Sequence, residues 1–376
     1  MSGVTFEIIG RDGAARTGKL WLGRGAVRTP AFMPVGTSGT VKAMFPGDVH
    51  AAGADIILGN TYHLMLRPGA ERLDRLGGLH KFMNWPHPIL TDSGGFQVMS
   101  LAGLRKLSEE GVRFRSHING SYHMLTPEKS MEIQHLIGSD IHMALDQCIA
   151  WPAPEDEVEL AMELSVRWAS RSKSAFRALE GRAQFGIVQG GTYARLRHRS
   201  ADSLVDMGFD GLAIGGLAVG EGQELMLQTI ENTIPHLPDN KPRYLMGVGT
   251  PEDIVEAVWR GIDMFDCVMP TRSGRHGQAF THQGRINLKN ACHAEDESPL
   301  DPMGNSSFSA VPRAYLHHLF RSGEILGSMY LSAANISYYQ DLMETLRKGI
   351  SEGCLAQTVT KIKCDWREGE AKNKAI

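Results

Sequence analysis

The sequence predicts an α/β protein built as a (β/α)8 barrel, and three observations predict it. Eight short apolar runs recur along the chain, each ending in or near Gly, Asn, Asp or Pro. Segments of helical length and periodicity separate many of them. The runner-up, an open doubly wound sheet, lacks the Gly-x-Gly-x-x-Gly that dinucleotide binding would place after the first strand. Near-continuous apolar runs suit strands buried on both faces. Eight such strands alternating with helices argue for closure into a barrel.

In order, the runs are residues 30–35 (PAFMPV), 55–60 (DIILGN), 88–92 (PILTD), 140–146 (DIHMALD), 184–190 (QFGIVQG), 211–217 (GLAIGGL), 243–248 (RYLMGV) and 264–270 (MFDCVMP). Residues 157–179 and 251–261 read as helices between them. Two stretches break the rhythm. Residues 112–125 (VRFRSHINGSYHML) centre on Asn119-Gly120 and predict a β-hairpin insertion. Residues 288–334 follow the last strand and are irregular until residues 313–326 resume as helix. They predict a small subdomain inserted within a single barrel domain spanning 1–376. The polar residues 368–376 are expected to fray.

Composition bounds the partners. Lys and Arg number 39 against 42 Asp and Glu, so no global basic excess announces a nucleic-acid binder and any RNA site must gather its cations locally. The five cysteines, Cys148, Cys267, Cys292, Cys354 and Cys364, show no paired spacing and read as reduced thiols of a cytoplasmic protein. No apolar run is long enough to span a bilayer, so no membrane partner is expected.

Barrel active sites lie at the C-terminal strand ends. Those ends carry Asn60, Asp92, Asp146, Gln189, Gly216, Met246 and Asp266. A single Asp there is as readily a helix cap or a structural ion pair. Three on one rim, with an amide and a glycine turn between them, point to a site, because a desolvated carboxylate is costly unless paired or used. Asp92 opens Asp-Ser-Gly-Gly-Phe-Gln, whose Ser93, Gly94 and Gly95 let backbone approach a flat ligand. Gly215-Gly216 offers the same after another strand. Residues 271–278 (TRSGRHGQ) bring Arg272, Arg275 and His276 close behind Asp266, and guanidinium suits phosphates and guanine edges. Arg285 and Lys289 extend that patch.

These motifs, with Asp146-Gln147-Cys148, VQGG at 188–191, GGLAVGE at 215–221, YLMGVG at 244–249 and FDCVMPTRSGRHGQAF at 265–280, resemble the bacterial tRNA-guanine transglycosylases in order and spacing across nearly the whole chain. The resemblance implies a barrel that exchanges guanine at the anticodon wobble position of tRNA. It makes Asp266 the nucleophile and Asp92 the proton acceptor. Ser93, Gly94, Gly95, Phe96, Asp146, Cys148, Gln189, Gly216, Leu217 and Met246 then form the base pocket. Gly247, Val248, Gly249, Thr250, Pro251, Glu252 and Asp253, with Thr271, Arg272, Ser273, Gly274 and Arg275, become RNA contacts. Cys148 and Val219 match the bacterial pocket, which makes the incoming base preQ1, 7-aminomethyl-7-deazaguanine. A homodimer is implied, with Tyr315 and His318 at its contact.

The residue types agree with that chemistry. A carboxylate can accept two N–H groups from guanine's Watson–Crick edge, and a Gly216 N–H or the Gln189 amide can serve its carbonyl. A carboxylate beneath the sugar can trap an oxocarbenium-like centre covalently.

The sequence departs from the family at its structural zinc. Counted forward, the three cysteine positions fall on Gly304, Ser306 and Ser309; counted back, on Met303, Asn305 and Phe308. The histidine position falls on Ala334. None is a zinc ligand. The expectation is therefore no zinc and no other cofactor, with Met303 and Phe308 packing the space. Two other functions compete with base exchange. An RNA-binding paralogue without catalysis would fit the zinc loss but not the retention of Asp92, Asp146 and Asp266. A barrel glycoside hydrolase would leave Arg272 and Arg275 beside the nucleophile unexplained.

Overall fold

The computed structural model describes residues 3–101 and 105–375. Eight strands close into a parallel barrel in chain order: β1 (Ala31–Gly36), β2 (Ile57–Gly59), β3 (Ile89–Thr91), β4 (Ile141–Met143), β5 (Ala183–Val188), β6 (Gly211–Ile214), β7 (Arg243–Leu245) and β8 (Met264–Cys267), with β8 returning to β1. Each corresponds to one of the eight apolar runs. The runs look continuous in sequence because both faces are buried, yet the period of two is kept. Ala31, Met33 and Val35 of β1 fill the barrel interior, while Phe32 packs outward against the helices. Helices Glu155–Ala175 and Pro251–Trp259 stand where helical periodicity placed them.

An N-terminal antiparallel meander, Thr5–Asp12, Ala15–Leu22 and Gly25–Thr29, precedes the barrel. No continuous apolar run marks it in the sequence. Leu20, Leu22 and Val27 belong to the same apolar cluster as the barrel interior, so the meander closes that core. Arg16 anchors it, donating from Nε to Asp263 Oδ1 at 2.9 Å just before β8.

The predicted hairpin exists but gains a third strand, Arg105–Leu107, beside Val112–Arg115 and Tyr122–Leu125. Its turn is a longer loop than Asn119-Gly120 alone: Arg115 pairs with Tyr122, and Ser116 N donates to Ser121 O at 2.8 Å.

Beyond β8 an antiparallel ribbon, Gln278–Thr281 with Gly284–Asn287, leads into the irregular stretch. The helix expected over 313–326 is two helices. Arg313–Arg321 ends at Gly323, whose φ of 70° stops it, and Ile325–Ser351 runs on past residue 334. Ala279, Ile286, Leu288, Leu300, Leu316, Leu319, Leu331 and Ala334 form a separate small core there. The C-terminal residues expected to fray continue helix Leu355–Ala375. Among the described residues no helix is long and apolar enough to cross a membrane.

Candidate active site

A parallel barrel aims all eight C-terminal strand ends at one face, so residues far apart in sequence converge there. Asn60, Asp92, Asp146, Gln189, Gly216, Met246 and Asp266 all line one cavity of about 290 Å³. Ser93, Phe96, Cys148, Leu217 and Gly247 line it too.

The three carboxylates are held differently. Asp92 is clamped on both oxygens: Oδ1 accepts from Thr61 N at 2.8 Å, and Oδ2 from Asn60 Nδ2 at 2.5 Å and Gln97 Nε2 at 2.9 Å. Burial pushes its carboxyl up to about 6. The Asn60 and Thr61 hydrogen bonds oppose that rise, and the negative charge of Asp266 adds to it. Asp146 accepts from Gln189 Nε2 at 2.6 Å and from Ser93 Oγ at 3.2 Å, and burial raises its pKa as well. Asp266 takes both its donors on one oxygen: Tyr244 Oη at 2.5 Å and Gly247 N at 2.8 Å reach Oδ1. The described residues give Oδ2 no hydrogen bond, so it is available to a ligand. Burial holds the Tyr244 hydroxyl far above its ordinary pKa, which keeps it a donor.

Between Asp146 and Asp266 the wall is an amide against a glycine turn. A Cβ on Gly215 would lie 2.8 Å from Gln189 Nε2, and one on Gly216, where φ is 68°, 2.6 Å from Gln189 Oε1. Only glycine lets the Gln189 amide and this backbone share the wall. Its donors and acceptors, with two carboxylates and the half-exposed Phe96 ring at 52%, suit a planar polar base.

Not every expected site residue faces the cavity. A Cβ on Gly94 would lie 3.4 Å from Tyr62 N and Leu125 Cδ2, and one on Gly95 would meet Asp146 O at 2.7 Å, so both positions are packed too closely for a larger side chain. Among the expected RNA contacts, Val248, Gly249, Pro251, Thr271 and Gly274 are buried. Gly249 abuts Cys267, where a Cβ would sit 2.1 Å from that side chain. Gly274 abuts the backbone of helix Ile325–Ser351, where a Cβ would lie 2.7 Å from Ser332 N. The expected loop is itself a short helix, Met269–Arg275, with Pro270 in its first turn. Gly247, Arg272, Ser273 and Arg275 keep surface, as do Thr250, Glu252 and Asp253. The last three open helix Pro251–Trp259: Thr250 caps it through Asp253 N at 3.1 Å, and Glu252 pairs with Arg285 at 3.1 Å. Arg272, Ser273 and His276 line an open groove of about 440 Å³ that shares Cys267 and Val268 with the cavity. Helix Ile325–Ser351 holds both segments: Asn335 Nδ2 donates to Pro270 O at 2.9 Å and Tyr339 Oη to Gly249 O at 2.5 Å.

Sequence reasoning missed Tyr244, Gln97, Val35 and Leu58 as cavity residues. Tyr244 lay inside an apolar strand run, and nothing local distinguishes a core tyrosine from one whose hydroxyl serves a carboxylate.

The metal question turns on residues 301–309. A Cβ on Gly304 would lie 2.3 Å from Ser309 Oγ, and Ser306 Oγ is 2.9 Å from Ser309 Oγ. Those three positions do converge, but on hydroxyls bonded to each other. Asp301 ties the turn instead, with Oδ2 2.7 Å from His282 Nδ1 and Oδ1 accepting Met303 N at 3.2 Å. Ala334 lies in the small apolar core. A glycine, two serine hydroxyls and an alanine methyl offer no thiolate or imidazole, so this donor set does not fit zinc. Met303, expected as an anchor, is 41% exposed because the turn points it outward; Phe308 does pack on the cores.

Residues 12–368 match the family described as "Queuine tRNA-ribosyltransferase". Proteins of that name from Brucella suis biovar 1 (strain 1330) and Rhizobium meliloti (strain 1021) are 61% and 60% identical over 366 residues, 97% of this chain and 97% of each of theirs. One from Zymomonas mobilis subsp. mobilis is 59% identical over 358 residues, 94% of this chain and 93% of its own.

Proposed function

The chain belongs to the queuine tRNA-ribosyltransferase family, and on that premise we propose that its cavity replaces guanine at the tRNA wobble position with preQ1, a step of queuosine biosynthesis. One observation carries the reading: Asp266 presents a single free carboxylate oxygen into a cavity whose opposite wall is Asp146, Gln189 and Gly216. Asp146 accepts the N–H groups of the guanine edge, and Gln189 or the Gly216 N–H serves its carbonyl. Asp266 Oδ2 attacks the ribose C1′. The C1′–N9 bond breaks, its electron pair leaves with guanine, and the departing base takes a proton from solvent; Asp92 later returns one to solvent. The incoming base then attacks C1′ through N9, its N9 proton passes to Asp92, and the ester bond to Asp266 breaks. Two inversions give net retention. Cys148 and Val219 line the cavity, and the resemblance to the bacterial pocket assigns them to the aminomethyl group. The groove at Arg272 and Ser273 receives the neighbouring nucleotides. The test is incorporation of labelled guanine into unmodified tRNA; a folded protein that binds tRNA without incorporation would favour the non-catalytic paralogue.

Asp92 accepts a proton only when ionised. Its pKa is raised, so the neutral form persists up to about pH 6. For the free enzyme, kcat/KM should therefore fall as pH drops through about 6 and level off above it. A profile flat down to pH 4.5 would remove Asp92 from this role.

We extend the reading to a zinc-free cytoplasmic homodimer. Tyr315 and His318 are exposed on helix Arg313–Arg321, and Ile325, 75% exposed, opens the next helix. For the metal, elemental analysis should find no stoichiometric zinc, and a strong chelator should leave the melting temperature unchanged. Structural zinc contributes folding free energy directly, so a chelator-induced drop would disprove this.

A further inference from the structure

Arg197 is a buried charge that the reaction above does not use. It lies on helix Ala194–Asp206, behind the turn that follows β5, and its relative exposure is 0%. Nε donates to Gly191 O at 2.7 Å and one terminal nitrogen to Val188 O at 2.8 Å, so the guanidinium brackets the turn carrying Gln189. The other terminal nitrogen is buried and, among the described residues, has no hydrogen-bond partner. It would lie 3.8 Å from a Cβ on Gly216, the same Cβ that would sit 2.6 Å from Gln189 Oε1. The cation therefore stands directly behind the Gln189–Gly216 wall. Its hydrogen-bond partners are carbonyls, not carboxylates. Burial lowers its pKa to about 10, which leaves it charged at neutral pH.

The Glu221 carboxylate lies in coulombic range and opposes that fall, but it makes no hydrogen bond to the guanidinium. A buried cation without a hydrogen-bonded counterion is costly, and a neutral side chain could bracket a turn more cheaply. The charge itself needs a use. We propose that Arg197 is a positioning residue for base exchange: it fixes the Gln189 amide against Asp146 and holds a permanent positive charge behind the wall that faces the base carbonyl. This rests on the base-exchange reading. When the C1′–N9 bond breaks, the electron pair spreads from N9 over the ring system to the carbonyl oxygen. Arg197 forms no bond and gives up no proton. Its field, acting through the Gln189 and Gly216 dipoles, lowers the energy of the departing anion, and a preoriented charge in a dry site does this without reorganisation.

Three variants test it in the whole enzyme with unmodified tRNA. Arg197→Gln keeps an amide donor for the turn but removes the charge, Arg197→Lys keeps the charge, and Arg197→Met removes both. Arg197→Gln should lower kcat by roughly 10–100-fold at unchanged tRNA KM. Arg197→Lys should recover most of that loss, and Arg197→Met should fall at least as far as Arg197→Gln. The loss should also shrink with a tRNA whose wobble base has a more acidic N9–H, such as 8-azaguanine, because a better leaving base needs less help. An Arg197→Gln enzyme at wild-type rate, equal losses in the Gln and Lys variants, or a loss independent of the leaving base would each overturn the proposal. If Arg197→Gln does not fold, the Lys variant decides: retention of more than about a tenth of the wild-type kcat supports the charge, and a larger loss refutes it. Wild-type exchange is measured alongside. If it is present, a failure concerns Arg197 alone; if it is absent, the base-exchange reading falls and takes this inference with it.

Discussion

Asp266→Asn is expected to lower base exchange by roughly 10⁴-fold or more and to leave no covalent tRNA adduct on denaturing gels. The geometry makes this variant a clean test. Tyr244 Oη and Gly247 N both donate to Oδ1, and the asparagine carbonyl can accept both at the same place. The amide nitrogen then falls where Oδ2 was, a position to which the described residues give no hydrogen bond. Shape and hydrogen bonds are kept, while the atom that forms the glycosyl ester becomes one that cannot. Removing the negative charge also relieves Asp92, whose pKa Asp266 helps to raise. tRNA affinity should change by less than about threefold, about 0.6 kcal/mol. An Asp266→Asn enzyme that still exchanges guanine would show that another group carries the ribosyl intermediate. Neither Asp92 nor Asp146 offers an oxygen as free, since each is bonded on both sides.

The barrel was legible in sequence because its strands are short, apolar and buried on both faces, a pattern with few other uses. Its rim was legible for the same reason: once the eight runs were placed, the residue closing each run had to sit on one face. What escaped was whatever depends on contacts distant in sequence. The meander of residues 5–29 alternates exposed and half-buried residues in its first strand, a weak signal beside the continuous runs that follow. Thr-Arg-Ser-Gly-Arg read as a loop because small polar residues favour turns. In the structure Gly274 is a helix–helix contact against Ser332, and helix Ile325–Ser351 enforces the local helix. The same distance hid Tyr244, whose hydroxyl acquires a purpose only when β8 brings Asp266 alongside β7. Base-pocket residues were thus easier to name than the groups that hold them in place.

The second large effect concerns which base the cavity accepts. Asp146 offers two acceptor oxygens, and guanine answers with N–H donors at N1 and the 2-amino group. Asp146→Asn replaces one acceptor with a donor. The amide can settle without disturbing the fold: its oxygen faces Gln189 Nε2, which donates to Oδ2 at 2.6 Å in the wild type, and its nitrogen faces Ser93 Oγ, a hydroxyl able to accept as well as donate. Guanine then meets an N–H against its own 2-amino group at a buried side chain. Two donors held directly against each other cost more than a missing hydrogen bond. kcat/KM for guanine should fall by roughly 10³-fold, about 4 kcal/mol of lost transition-state stabilisation. Xanthine carries a carbonyl where guanine carries the 2-amino group and keeps N1–H, so it presents one acceptor and one donor, the complement of asparagine. The variant should therefore incorporate xanthine better than guanine, with the order reversed in the wild type. Competition between the two labelled bases for the same unmodified tRNA reads this directly. A variant that loses guanine without gaining xanthine would mean that Asp146 does not face the Watson–Crick edge. The base would then lie in the cavity in another orientation, with Gln189 and Gly216 serving a different side of it.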